Sequence, residues 1–109
     1  MNIITRNLGA SQCPDAMKYV KAFLKESGVE LTSGRVDGLL IVTTAHSVQR
    51  DLSMMIAHES LPLHIRESET HLITEEQRQE WREEYLDEEL DASREQYFLL
   101  IQSKPVSVA

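Results

Sequence analysis

Apolar side chains recur every three or four residues in the segment after Pro14, which is the spacing of an amphipathic helix. Pro14 suits the first helical position, and Asp15 suits the positive end of a helix dipole. Gly28 interrupts the pattern, so a first helix is predicted from Pro14 to about Gly28. Its apolar positions are Met17, Tyr19, Val20, Phe23 and Leu24.

Extended structure is predicted on both sides of this helix. Residues 2–5 form a short apolar run typical of a strand. Residues 29–32 and 35–44 flank a Ser33-Gly34 turn, which predicts a hairpin with antiparallel arms. The apolar, β-branched residues 38–44 in its second arm are predicted to form a buried strand.

A second amphipathic helix is predicted over residues 47–59, and Pro62 then returns the chain to extended structure. Residues 63–66 and 71–73 are predicted to be short strands of a second hairpin, joined by residues 67–70. Their polarity is typical of a sheet edge. The apolar face of the helix consists of Val48, Leu52, Met55 and Ile56.

A long final helix is predicted to begin after Thr74, whose spacing to Gln77 matches a capping box. The apolar stripe is thin between residues 87 and 94, so the helix is expected to bend or break near residues 91–93. Pro105 ends regular structure. The stripe consists of Trp81, Tyr85, Leu86, Leu90, Tyr97, Leu100 and Ile101.

These elements predict a small α+β protein with three helices packed on a short, mostly antiparallel sheet, the third being a long acidic C-terminal helix. With 109 residues, one domain is expected over residues 1–104, followed by a loose tail at residues 105–109. The residues expected to be buried include Phe23, Leu24, Leu40, Val42, Leu52 and Ile56.

The net charge of −7 is concentrated in residues 75–96, which hold ten acidic residues and three arginines. Like charges four residues apart weaken an isolated helix by about 0.2–0.5 kcal/mol per pair. A solvated face would not need that cost, which hints at a charge that is used, although a plain solvated face is the commoner explanation of such a helix. A cationic protein partner and then imitation of nucleic acid are the alternatives, and direct binding of nucleic acid is disfavoured because phosphate contact needs a positive surface.

Trp81 and Tyr85 lie one turn apart in this acidic segment and would either pack in the core or act as apolar anchors at an interface. A homodimer is a further possibility, in which a basic stripe docks on the acidic helix of a second copy. The stripe consists of Lys18, Lys21 and Lys25. The candidate partner-binding residues are Glu80, Trp81, Glu83, Glu84, Tyr85, Asp87 and Glu88.

Several functional classes lack sequence support. The longest unbroken apolar run is residues 39–42, and no signal-peptide pattern is present, so a soluble cytoplasmic protein without membrane contact is expected. No phosphate-binding loop or dinucleotide glycine pattern appears, so no cofactor is predicted. The four histidines lack ligand spacing, and no metal is predicted.

The leading prediction is therefore a binding protein rather than an enzyme. It would be a small acidic regulator or inhibitor that occupies a basic surface of a larger protein, including a surface that normally holds nucleic acid. Small acidic proteins of phages and mobile elements often act in this way, which is an analogy of size and charge.

Cys13 is the basis of the alternative prediction, a thiol protein. It stands directly before Pro14, where the unpaired N–H groups of a helix N-terminus stabilise a thiolate. The run Cys13-Pro14-Asp15-Ala16 after a short strand, with Pro62 before a later one, resembles the thioredoxin and glutaredoxin superfamily.

That resemblance implies a nucleophilic role for Cys13. It also implies that Pro62 is a cis-proline lying beside the thiol and orienting a thiol ligand such as glutathione. Ala16 stands where the family's second, resolving cysteine would be, so the resemblance implies chemistry with a single thiol.

Overall fold

The computed structural model describes residues 2–104, so the predicted loose tail at residues 105–109 lies outside the described residues. The described chain has eight helices and strands, and its class is α+β, as predicted. In chain order they are β1 (Ile3–Asn7), α1 (Asp15–Thr32), β2 (Gly38–Thr43), α2 (Val48–His58), β3 (Leu63–Leu72), α3 (Glu75–Trp81), α4 (Asp87–Ala92) and β4 (Glu95–Ser103).

The four strands form one mixed sheet in the order β1-β2-β4-β3. β1 and β2 are parallel, whereas β4 runs antiparallel to both of its neighbours, β2 and β3. The prediction of a mostly antiparallel sheet missed the β1–β2 pair. That pair is parallel because α1 connects the two strands and returns the chain to the edge where β1 begins.

The predicted first hairpin is wrong because α1 continues through Gly28 to Thr32. Gly34, with φ of +81°, follows the end of the helix. Its N–H donates to the carbonyl of Leu31 at 3.2 Å, and the N–H of Arg35 donates to the carbonyl of Glu30 at 3.0 Å. This is the bond pattern of a Schellman motif, so Ser33-Gly34 ends a helix and does not join two strands.

Both long helices pack on one face of the sheet. The buried cluster combines side chains of α1 and α2 with alternate residues of the two central strands, including Leu39, Ile41, Leu99 and Ile101. The residues between them, such as Leu40 and Leu100, face the other side and stay partly exposed. The predicted burial of Leu40 is therefore wrong, whereas Phe23, Leu24, Val42, Leu52 and Ile56 are buried as expected.

β3 is a single edge strand of ten residues, so the predicted second hairpin through residues 67–70 is wrong. Its edge position agrees with the polarity of its sequence. The pairing with β4 shifts by one residue between Ile65 and Glu67, which marks a bulge at Arg66.

The prediction of a long acidic C-terminal helix is also wrong. α3 ends at Trp81, α4 spans only Asp87–Ala92, and the chain then enters β4. β4 lies between β2 and β3, and its run of five apolar residues from Tyr97 to Ile101 supplies side chains to both faces of the sheet. Such a run is typical of a central strand, and the helical spacing within it is coincidental.

Alanine substitution of the two glycines near the end of α1 should change the stability of the protein in opposite directions. Gly28 is helical and a Cβ there would meet no atom within 4 Å, so Gly28→Ala should stabilise the protein by about 0.5–1 kcal/mol. Gly34→Ala should cost about 1–2 kcal/mol because the residue has a positive φ. Urea unfolding measures both changes, and equal midpoints for the two variants would contradict the Schellman assignment.

Candidate functional site

Cys13 lies at the carboxyl-terminal edge of the parallel strands β1 and β2, where the chain turns into α1. The thiol is exposed. Its Sγ lies 3.2 Å from the Oγ of Ser47, the residue directly before α2. The N-termini of α1 and α2 therefore meet at this thiol, and a helix N-terminus carries partial positive charge.

Ser47 occupies the position from which a serine usually caps a helix. Its side chain makes no such cap, and the first turn of α1 likewise has no side-chain cap. The Ser47 hydroxyl is thus available to the thiol. A hydroxyl at this distance can donate a hydrogen bond to a thiolate, which stabilises the charged form of a nucleophile.

A buried polar network fixes the loop before Cys13. The Oγ1 of Thr44 donates to the carbonyl of Gly9 at 3.1 Å and accepts from the Nε2 of Gln12 at 2.9 Å. It also accepts from the Oγ of Ser93 at 3.1 Å. Thr44 and Ser93 are buried, so these bonds join the end of β2, the β1–α1 loop and the end of α4 away from solvent.

A second small cluster holds α3 and α4 against the same loop. Trp81 is only 7% exposed and packs with Ala10 and Leu90. Tyr85 is half-buried, and its hydroxyl lies so close to Gly9 that a Cβ there would overlap it. Of the two outcomes considered for Trp81 and Tyr85, the structure favours core packing, because Trp81 has little surface to offer a partner.

The acidic residues proposed for partner binding remain on the surface. Glu80 is on α3, Glu83 and Glu84 are in the connection, and Asp87 and Glu88 open α4; all five are exposed. The segment with the ten acids is therefore two short helices and the start of β4, rather than one straight helix. Below, the acidic surface means these five residues: Glu80, Glu83, Glu84, Asp87 and Glu88.

Arg78 ties the two short helices together. Its Nη1 donates to the carbonyl of Leu90 at 3.1 Å, and its Nη2 donates to the carbonyl of Ser93. A guanidinium on the last carbonyls of α4 satisfies groups that a helix end leaves unpaired. At the other end, Thr74 caps α3 by accepting from the N–H of Gln77 at 3.2 Å, which is one half of the predicted capping box; the Gln77 side chain donates to Glu80 instead.

Pro62 lies away from Cys13. It lines a cavity of about 440 Å³ together with Lys25 and Gly28, from the later turns of α1. At 1.5 Å per residue these positions are roughly 15–20 Å along the helix from its start. Within residues 2–104 the cis peptide bond precedes Pro14, not Pro62. The structure thus does not bring together the two residues that the thioredoxin resemblance paired.

The histidines and the helices suggest no other site. Among residues 2–104, no three His, Cys, Asp or Glu side chains converge in a way that could hold a metal ion. None of the helices described combines the length and the apolar character needed to span a bilayer. No protein-family model, curated protein or solved structure matches this chain.

Sequence reasoning identified Cys13 and the acidic residues but missed Gln12, Thr44, Ser47 and Ser93. The only sequence signal for Ser47 was its place before an amphipathic helix, which predicts a cap and not a thiol contact. Thr44 and Ser93 are 49 residues apart, and only the folded chain brings their hydroxyls together.

Thr44 offers a matched pair of substitutions. Thr44→Val keeps the shape but removes all three hydrogen bonds of the hydroxyl, leaving buried polar groups unpaired at a cost of roughly 1–3 kcal/mol. Thr44→Ser keeps the hydroxyl and loses one methyl group, worth about 0.8 kcal/mol. In denaturant unfolding, the Thr44→Val variant should be less stable than the Thr44→Ser variant. The reverse order would show that packing, not the hydrogen-bond network, determines stability at this position.

Proposed function

We propose that this chain is a small single-thiol protein in which Cys13 exchanges thiol groups with a protein partner that docks on the acidic surface. The observation that carries the proposal is the exposed Cys13 thiol within 3.2 Å of the Ser47 hydroxyl, at the junction of two uncapped helix N-termini. These features leave the sulfur accessible and place a hydroxyl and the positive ends of two helix dipoles next to it.

The reaction that suits this arrangement is thiol–disulfide exchange. The Cys13 thiolate attacks one sulfur of a partner disulfide, a new S–S bond forms, and the other partner sulfur leaves as a thiolate. Cys13 is the chain's one cysteine, so a second, external thiolate attacks the partner sulfur of the mixed disulfide, forms a new S–S bond with it and releases the Cys13 thiolate. The chain therefore carries a sulfur-bearing group from a disulfide to an external thiol, and the number of disulfide bonds does not change.

One member of the acidic surface, Glu84, lies beside the loop before Cys13, which supports a docking role for that surface. Glu84 and Tyr85 line a cavity of about 330 Å³ together with Leu8 and Ser11 of the loop before Cys13. A partner with basic residues around its reactive disulfide would be drawn to this edge, because opposite surface potentials raise association rates.

The thiol part of the proposal predicts fast alkylation of the intact protein. Cys13 should react with iodoacetamide at neutral pH several-fold faster than an unstructured cysteine peptide, because the Ser47 hydroxyl and two helix N-termini lie next to the attacking sulfur. It should also form a mixed disulfide with oxidised glutathione, detectable by intact mass. A rate equal to that of the free peptide would contradict the proposal.

Two variants sharpen this experiment. Ser47→Ala removes the 3.2 Å contact and should slow alkylation while leaving the fold intact, since its side chain does not cap α2. Ser53→Ala, on the exposed side of the same helix, is the matched control and should not change the rate. Equal rates for the two variants would remove Ser47 from the mechanism.

The exposed acidic surface also supports the second candidate function, a regulator that occupies a basic surface without using its thiol. Changing its five acids to glutamine should weaken partner binding and flatten the salt dependence, since exposed charges are screened within about 10 Å at 0.1 M salt. The control neutralises exposed acids elsewhere, Glu59, Glu67 and Glu69, and should leave binding unchanged. Unchanged affinity after the five substitutions would exclude both docking proposals.

Cys13→Ser separates the two candidates. A carrier loses all transfer to its partner when the thiol is removed, whereas a regulator keeps both its affinity and its effect. The acidic surface alone carries the second candidate, and a fully active Cys13→Ser protein would favour it.

A further inference from the structure

β1 forms one outer edge of the four-stranded sheet in residues 2–104, with β2 as its one neighbouring strand there. The N–H of Leu8 donates to the carbonyl of Val42, so the even-numbered residues of this segment point toward β2. In a parallel pair, alternate residues point the other way. The N–H and C=O groups of Ile3, Thr5 and Asn7 therefore point away from β2, toward the open side of this edge.

The two edges of the sheet are protected to different extents against the addition of another strand. β3, the opposite edge, carries a bulge at Arg66 and exposed charges on Glu67 and Glu69, which are devices that discourage strand addition. β1 has no bulge and no proline, and its sequence Ile-Ile-Thr-Arg-Asn holds a single charge. Ile3, at 39% exposed, adds apolar surface to this edge.

We propose that β1 pairs with β1 of a second copy of this chain, antiparallel about a two-fold axis at Thr5. In that register Thr5 faces its own equivalent, and Ile3 faces Asn7 of the second copy. Residues that face each other in this way exchange both backbone bonds. Six hydrogen bonds then satisfy all twelve outward groups, and the two sheets join into one of eight strands.

Charge complementarity supports a second copy as the occupant. Arg6 and Glu26 line a cavity of about 470 Å³ along the edge, together with Ile4. Neither Arg6 nor Glu26 makes an ion pair with another of residues 2–104. In the proposed register Arg6 of the second copy lies opposite Ile4, next to the Glu26 carboxylate, and the two-fold axis repeats this pair.

The acidic surfaces do not prevent this arrangement. They lie near the carboxyl end of β1, where Tyr85 packs on Gly9. In an antiparallel pair of five-residue strands, the two carboxyl ends lie four residue steps or roughly 14 Å apart, which exceeds the screening length of about 10 Å at 0.1 M salt.

The test is the oligomeric state of the full chain, measured by analytical ultracentrifugation over a range of protein concentrations. Thr5→Pro removes an outward N–H and places a ring at the two-fold axis, so the variant should be a monomer with the circular dichroism of the wild type. Thr70→Pro on the opposite edge strand, β3, is the matched control and should still dimerise. Its circular dichroism checks that the substitution leaves the fold intact.

The proposed ion pair has a test of its own that preserves the backbone. Arg6→Glu and Glu26→Arg should each raise the dimer dissociation constant about tenfold, equivalent to about 1.4 kcal/mol, and the double variant should restore it. Failure of the double variant to recover would overturn the proposed register.

Two other outcomes would overturn the proposal as a whole. One is a wild-type protein that stays monomeric throughout the concentration range. The other is a dimer that survives Thr5→Pro and is lost when Lys18, Lys21 and Lys25 become glutamine, which would assign the interface to the basic stripe. Neither outcome affects the alkylation and transfer measurements on Cys13, because those are made on the intact chain in either state.

Discussion

The Thr44 hydroxyl connects the parts of this protein that carry chemistry. It bonds to the loop before Cys13 through Gly9 and Gln12, and to the end of α4 through Ser93. The main hydrophobic core holds α1 and α2 on the sheet, whereas the loop and the two short helices are held by the small Trp81 cluster and by this network. A buried polar network accepts only one arrangement in which every member is bonded, so it specifies where these segments lie relative to the thiol.

Local patterns predicted the elements whose neighbours in space are also neighbours in sequence. α1 and α2 were identified by apolar spacing, and the Thr74 cap by its spacing to Gln77. Elements whose identity depends on distant partners were missed. The Ser33-Gly34 pair suits either a hairpin or a helix end, and the β1–β2 pairing decides between them. The run ending at Ile101 is a strand because two other strands flank it.

The candidate site was predictable to a similar degree. Cys13 before Pro14 indicated a helix N-terminus, and the exposed positions of the acidic residues followed from their charge. The contact with Ser47 joins residues 34 positions apart, and no local pattern indicates it. The resemblance that paired Cys13 with Pro62 relied on order along the chain, whereas the length of α1 separates the two in space.

The charge distribution has a structural explanation in this fold. The acidic residues occupy the connection between β3 and β4, which adds two short helices outside the main core and is anchored by Trp81, Arg78 and Ser93. Such a connection can hold like charges because few of them are buried and the anchors lie on its inner side. Repulsion that would weaken one long helix is relieved where α3 ends and the chain turns into α4. The break in the helix thus lets the segment turn back so that Trp81 and Leu90 pack together with Ala10, while the strand that follows completes the main core.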